Sequence, residues 1–431
     1  MTPQVKQRIE QIRRGEVPEG YKRTKAGVAP VEWEEVRIGD VLTQRKTLQC
    51  VSVDAPLLSF TIEEGVIDPA DKKSNKRDFL IKDMATKKFA LTEVGDIIYN
   101  PANLKFGAIH RNNLRRGVVS PIYGIFHGEQ DSVFMGYLLH NQRFIDYAKV
   151  YTEGTVEKLK TLKADTFLKL KITLPSLTEQ HKIVEILETQ DKFIDLQSKK
   201  IEQLKKLKQS CVQRMFPKKG AKLPELRFEG FTDAWEQRKL GDVGTTYTGL
   251  SGKTKDDFGH GEGKFITYMN VFSNPISSSS MVEPIEIDES QNEVWIGDVF
   301  FTTSSETPEE VGMSSVLLEN EGKTYLNSFC FGYRPSQKFD NYYLAYMLRS
   351  PNVRKKIVFL AQGISRYNIS KNKVMEIEIP IPSYDEQREI GLYFRHLDNL
   401  ITLHEHKLDK IKKQKETLMQ LLLTGIVRVD I

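Results

Sequence analysis

Long words of this sequence occur twice at a nearly constant interval. Trp33–Val41 (WEEVRIGDV) returns as Trp235–Val243 (WEQRKLGDV), 202 positions later, and Val94–Ile98 (VGDII) returns as Ile296–Phe300 (IGDVF) at the same interval. Leu174–Val184 (LPSLTEQHKIV) then returns as Ile381–Gly391 (IPSYDEQREIG), 207 positions later. Solenoid units run to roughly 20–45 residues, so a repeat of this length is a duplicated domain. The 431 residues are therefore two copies of one architecture with a short leader.

Each copy reads the same way. Short β-rich runs, Asp96–Tyr99 and Val299–Thr303, lie among Gly, Pro and Asn turn signals. A helical pattern follows at Phe134–Ala148 and Tyr342–Val358, and a Pro-bounded strand (LKITLP or EIEIP) leads into a long helix. The spacing predicts those helices over Thr178–Phe216 and Asp385–Thr424, with Thr178 and Asp385 as N-cap residues and Gly391 as the only glycine. In the first, Leu187, Ile194, Ile201, Lys208 and Met215 recur every seven residues, and Gln190, Gln197, Leu204 and Cys211 interleave. In the second the same positions are Phe394, Ile401, Leu408, Lys415 and Leu422, with Leu397, His404, Ile411 and Leu418.

Such a stripe is the seam of a coiled coil. Two stripes in one register bury most simply against each other, although each helix could instead pack on its own domain. At about 1.5 Å per residue each helix would run roughly 55 Å. The expected fold is α+β: two tandem globular α/β domains joined by two long antiparallel coiled-coil helices with pseudo-twofold symmetry. The expected division is 1–177, 178–217, 218–384 and 385–431, with a leader over about 1–17.

Composition bounds the function. Lys plus Arg total 63 and Asp plus Glu 58, a net charge of +5, too small for a chain that wraps a polyanion by charge alone. No apolar run approaches the roughly 18 residues of a membrane span, and the N-terminal residues lack the apolar centre of a secretion signal. Cys50, Cys211 and Cys330 lie far apart, so neither a disulfide framework nor a CxxC metal pair is expected, and the expected compartment is a bacterial-type cytoplasm.

Catalytic signatures are near misses. GLSGKT at Gly249–Thr254 has Tyr247 where a phosphate loop needs glycine. FGHGEG at Phe258–Gly263 lacks the context of a dinucleotide loop and reads as a turn, and IYNPAN at Ile98–Asn103 reads as a strand-ending turn. The eight histidines form no HExxH motif, His404 and His406 fall on different helix faces, and no GxSxG occurs. The pattern points to duplicated recognition without a catalytic centre or a metal.

The ordered duplicate resembles the specificity (S) subunit of type I restriction–modification systems over essentially the whole chain. The openings PEGYKRTKAGVAPVEWEEVRIGDV and LPELRFEGFTDAWEQRKLGDV carry the resemblance, with the Pro-Ser-x-x-Glu-Gln junctions LPSLTEQHKIV and IPSYDEQREIG. So do the helix KKIEQLKKLKQSCVQRMFP and the end KIKKQKETLMQLLLTGIVRV. The leader before Trp33 is longer than its counterpart before Trp235. The resemblance implies two target recognition domains, each reading one half of a split, asymmetric DNA site. It implies that the helices set the gap and dock two methyltransferase (modification) subunits, with restriction (translocase–nuclease) subunits completing the complex. The chain itself would be non-catalytic, with S-adenosylmethionine, ATP and Mg held by the partners. A duplicated coiled-coil scaffold without DNA binding, or the recognition part of a fused nuclease, are the alternatives.

Basic residues beside aromatic or turn residues are the candidates for DNA contact. In the first copy these are Arg45, Lys46, Lys72, Lys73, Lys76, Arg77, Lys105, Arg111, Arg115, Arg116, Lys158 and Lys160. In the second they are Lys253, Lys255, Arg366, Tyr367, Asn368, Lys371 and Lys373, with Arg366 and Tyr367 foremost. Gly154 and Gly363 lie 209 positions apart, so the segments that follow them occupy matching places just before the strand that enters the helix. The Lys199, Lys200, Lys205, Lys206 and Lys208 cluster is either the outer face of the coil or a track along phosphates.

Overall fold

The computed structural model describes residues 2–72, 86–153 and 160–429. The long helices span Leu177–Arg214 and Tyr384–Leu423, within two residues of the expected bounds. Their caps lie earlier than expected. Ser176 and Ser383 Oγ accept from the backbone N–H groups of Glu179 and Glu386, each at 3.3 Å, so Thr178 and Asp385 sit inside the first turn. A short hydroxyl with Glu three residues on is the capping-box spacing.

The chain divides into two compact units, residues 1–196 with 408–431, and residues 197–407. Each unit thus holds half of both helices as part of its own core. In the first unit, Ile183, Val184 and Leu187 share a core with Leu418, Met419 and Leu422. In the second, Gln197 Nε2 donates to His404 Nδ1 (2.5 Å), Lys208 pairs with Asp398 (2.5 Å) and Cys211 Sγ meets Tyr393 Oη (3.4 Å). Numbers rise on one helix as they fall on the other, so in each unit the halves run antiparallel. Along the seam Leu187, Ile201, Leu204, Cys211, Phe394, Leu397 and Ile401 are buried, while Ile194, Leu408, Ile411 and Leu418 are half-buried. Both expected modes of burial therefore operate: each half-helix packs on its partner and on the globular part of its unit.

The globular parts share a frame. The first unit has an antiparallel sheet ordered Ile109–Arg111, Ile97–Tyr99, Gly124–His127, Thr43–Gln44. The second repeats it as Ser314–Val316, Val299–Thr302, Cys330–Pro335, Gly244–Thr248. Glu34–Arg37 pairs with Lys171–Leu174, and Glu236–Lys239 pairs with Glu378–Ile381 in the same register. Of these short strands, Lys171–Leu174 and Glu378–Ile381 lead into the long helices.

Local signals explain where the expected elements differ. The pattern over Phe134–Ala148 is two helices, Ser132–His140 and Gln142–Lys149, because Asn141 caps the second by accepting from Arg143 N–H (2.9 Å). Tyr342–Val358 divides into Asn341–Leu348 and Pro351–Phe359, since Pro351 starts a helix but cannot continue one. FGHGEG is not a turn. It lies in the strand Phe258–Ile266, whose pairing with Val282–Ile285 shifts register between Phe258 and Gly263. Gly261, at φ +100°, makes room there: a Cβ would stand 2.5 Å from the Ile285 carbonyl oxygen. Gly391 is explained as well, since a Cβ on it would meet Asp340 Oδ1 at 2.0 Å.

Candidate nucleic-acid interface

The junction words of the sequence are buried clasps that fix each globular part on its helices. Glu179 accepts from Trp33 Nε1 (3.2 Å) and takes both Arg428 Nε (2.7 Å) and Nη2 (3.0 Å). Glu386 repeats this with Trp235 Nε1 (3.1 Å) and Arg227 Nε and Nη2 (2.7 and 2.8 Å). The following glutamines, Gln180 and Gln387, donate to the Pro175 and Pro382 carbonyls at 3.0 and 3.1 Å. The leader joins the first clasp region: Arg8 Nη1 donates to the Ile426 carbonyl (3.1 Å) and Tyr21 Oη to the Gly425 carbonyl (2.8 Å).

A second fastening is repeated too. In the first unit Tyr137 Oη and Lys415 Nζ both reach Asp191, each at 2.5 Å, and the ammonium lies 5.0 Å over the phenol ring. In the second, Tyr346 Oη and Lys208 Nζ both reach Asp398, with the ammonium 4.8 Å over the ring. Burial, then the neighbouring carboxylate, pushes both phenols far above their usual range, so they stay neutral donors. Each set joins the globular part to both helix halves.

At one end of the shared sheet three segments meet in each unit. In the second, the chain leaving Val299–Thr302 accepts at the Thr303 carbonyl from Ile369 N–H (3.0 Å), and Ser304 and Ser305 pair with Asn368 and Tyr367. The turn before Cys330–Pro335 closes by Cys330 N–H to the Asn327 carbonyl (3.0 Å). In the first unit Leu162 N–H donates to the Pro101 carbonyl (3.0 Å), and Tyr123 N–H to the Ser120 carbonyl (3.2 Å) closes the matching turn. The third segment begins alike in both, with bridges Glu153↔Thr161 and Gln362↔Asn368.

This end gathers some candidates and leaves others elsewhere. Arg366 and Asn368 are exposed and Tyr367 is half-buried, with the Arg366 guanidinium 5.8 Å over the Phe329 ring. Their tight turn depends on Gly363, at φ +147°, where a Cβ would stand 2.0 Å from the Arg366 carbonyl oxygen. Lys371 and Lys373 follow in the helix Lys371–Met375. Lys105 lies 5.2 Å over the Phe106 ring and Lys160 directly precedes the bridge residue Thr161, while Lys158 lies outside the described residues. Lys253 and Lys255 follow the strand that ends here at Thr248, but Lys253 is held by Asp288 at 2.7 Å.

Arg111 pairs opposite Ile97, which places Arg111, Arg115 and Arg116 at the other end of the sheet. Arg115 is bound by both Asp68 oxygens (2.9 and 2.5 Å), Arg116 by Glu93 (2.7 Å), and Arg111 by Ser132 (3.0 Å) and Asn113. Buried Asn112 pins this loop by donating to Thr92 Oγ1 (3.1 Å) and the Arg115 carbonyl (2.9 Å). Arg45 is drawn to buried Asp96 through Nε (2.8 Å) and Nη2 (3.0 Å), so its fork is spent inside the fold. Lys46 is exposed and Lys72 half-buried, whereas Lys73, Lys76 and Arg77 lie outside the described residues. On the helices the exposed Lys205 pairs with Glu405 and the exposed Lys206 with Glu202, each at 2.6 Å.

Two arginines that the sequence reading passed over shape this end. Arg354 Nη1 donates to the Gly312 carbonyl (2.6 Å) and its Nη2 to those of Glu309 and Val311 (2.8 and 2.7 Å). Arg349 donates to the carbonyls of Ser314, Val271, Phe272 and Asn274. Burial pushes both guanidinium groups down to about 10. Their signal was indirect: basic residues on an otherwise apolar helical pattern. Among the described residues no group of three or more His, Cys, Asp or Glu is placed to hold a metal, and no helix is long and apolar enough to cross a membrane.

Comparison with known proteins agrees with this duplicated arrangement. The family model described as "Type I restriction modification DNA specificity domain" matches twice, over residues 30–206 and 232–413. The chain is 24% identical to the type I restriction enzyme MjaVIII specificity subunit of Methanocaldococcus jannaschii, over 95% of this chain and 96% of that protein. It is also 24% identical to the putative MjaX specificity subunit of the same organism, over 95% and 97%. Among solved structures, one from a study of assembly and conformational transition of the type I R-M system superposes with TM-score 0.59 at 17% identity, over 93% of this chain and 99% of that chain. The HsdS subunit from Thermoanaerobacter tengcongensis superposes with TM-score 0.50 at 17% identity, over 93% and 98%. With the specificity-domain model matched once in each copy, this chain belongs to the DNA specificity family of type I restriction–modification systems.

Proposed function

We propose that the chain is the non-catalytic recognition subunit of a type I restriction–modification complex, and that each unit reads one half of a bipartite, asymmetric DNA site. One observation carries the reading: the same three segments converge at the same sheet end in both units but present different side chains. Equal frames with unequal surfaces suit two different half-sites. The side chains proposed to face DNA at that end are Lys105, Lys160, Arg366, Tyr367, Asn368, Lys371 and Lys373. Phosphate contacts position such a surface, while Arg and Asn forks read base edges in the major groove.

The helices set the gap between half-sites and dock the methyltransferase subunits. Exposed Phe193 and Leu196 in the first unit, and Leu400 and Leu403 at the matching positions of the second, support that docking. Restriction subunits complete the assembly, and S-adenosylmethionine, ATP and Mg belong to the partners. Inserting four residues beside Gln197 lengthens a helix by about 6 Å. The gap found by long-read methylome sequencing of cells carrying the complex should then grow by one or two base pairs. An unchanged gap removes the helices from that role. A salt-independent affinity for duplex DNA would remove the DNA reading itself.

A further inference from the structure

Both units place an exposed apolar side chain at the tip of the turn that opens at their loop end. In the second it is Phe329, 55% exposed, and in the first it is Ile122, 63% exposed. The two positions are 207 apart, the interval of the junction words, although the surrounding residues, VSPIYGIF and LNSFCFGY, have little else in common. Phe329 does not dangle. Its N–H donates to Asn327 Oδ1 (2.8 Å), and its carbonyl accepts from Thr303 N–H (3.0 Å) and Thr303 Oγ1 (2.9 Å). The Arg366 guanidinium lies against one side of the ring. These three bonds fix the backbone of the tip, so the exposed ring is presented from a defined position.

One tip is aromatic and the other a branched aliphatic, so the property they share is apolarity, not ring shape or stacking. In the major groove of unmodified DNA the one apolar group on a base-pair edge is the C5 methyl of thymine. The cationic and polar neighbours Arg366 and Asn368 suit phosphate and base edges on either side. Resting on the DNA-recognition reading above, we propose that Phe329 and Ile122 each read a thymine methyl group in the half-site of their own recognition domain.

The test uses the full chain assembled with its methyltransferase subunits and duplexes carrying the target mapped by methylome sequencing. Each thymine in turn is replaced by deoxyuridine, which removes only the methyl group. The expected result is one position per half-site at which that replacement weakens binding by about fourfold, the worth of one buried methyl. In Phe329→Ala that discrimination disappears from the second domain's half-site alone, and in Ile122→Ala from the first domain's alone. Phe329→Leu, which keeps an apolar tip, retains it. Specific binding that ignores every thymine methyl, or discrimination that survives Phe329→Ala, overturns the inference and leaves the recognition reading intact. Absence of specific binding by the unaltered complex overturns the recognition reading, and this inference with it.

Discussion

In the first unit the antiparallel pairing of Phe89–Thr92 with Gly117–Val119 is a ladder and the parallel contact of Leu57 with Val118 is an isolated bridge. In the second, by contrast, the parallel pairing of Phe258–Ile266 with Thr324–Leu326 is the ladder, and Val294 N–H only donates to the Thr324 carbonyl (3.0 Å). Gly117–Val119 and Thr324–Leu326 hold the same place in the repeat, 207 positions apart. The four-stranded sheet beside them keeps its order in both. Its connections run into the clasps at Glu179 and Glu386, where a change strands a buried charge, and into the half-exposed fastenings at Asp191 and Asp398. The second layer has no such tie, so the same pairings extend to different lengths in the two units. A protein that reads different sequences on one scaffold needs that division: a fixed frame and a replaceable face.

The largest expected effect tests how alike the frames are. Glu386→Gln leaves Arg227 with a buried, uncompensated charge and should cost about 3 kcal/mol of stability. Glu179→Gln should cost less, about 1–2 kcal/mol, because Arg428 is 31% exposed where Arg227 is 15%. Denaturant unfolding of the two variants gives the order, and equal losses would show that exposure of the arginine is immaterial. Gly391→Ala should destabilise by about 1–3 kcal/mol through the clash with Asp340, against the gain of about 1 kcal/mol that helix propensity alone would bring. A raised melting temperature would contradict the close approach.

A smaller contrast separates an exposed arginine from one tied to a buried carboxylate. Arg366→Ala should weaken binding to the cognate duplex by roughly 1–3 kcal/mol at fixed salt without lowering stability. Arg45→Ala should do the reverse, since it strands Asp96. Equal affinity losses would erase the distinction drawn from the ion pair. The smallest effect concerns acid. Burial, then the neighbouring His140, pushes His110 down to about 4 from 6.5, while the matching position in the second sheet is Ser315. A base depressed on folding stabilises the fold above its unfolded value and loses that contribution as pH falls from 6.5 towards 4. Hydrogen exchange should therefore show on the order of 1 kcal/mol of acid weakening in the first unit that His110→Gln removes. Uniform weakening of both units would refute it.

Much of the frame was legible in the residues. Repeated words marked the duplication because they sit at the Trp–Glu–Arg clasps, whose geometry tolerates few side chains. Heptads marked the helices because burial along a helix recurs with the turn. The serine caps are legible as Ser-x-x-Glu, yet Thr178 and Asp385, two positions on in each case, carry the expectation. The interface was harder. Nothing beside Arg45 in sequence shows that Asp96 takes its charge, or beside Lys253 that Asp288 does, because those partners meet only when the sheet forms. The Tyr–Asp–Lys fastenings were hidden for the same reason, since Tyr346, Asp398 and Lys208 come from three separate segments.

The sequence by itself therefore determined the duplication, the two long helices and the strands that feed them, since propensity, capping and periodicity are local properties. Tertiary structure alone decided at which end of the sheet the loop segments converge, which basic residues are tied to a carboxylate, and how far each strand pairing extends. Those outcomes depend on charge pairs and backbone partners far apart in the chain, and their energies exist only once the distance has closed.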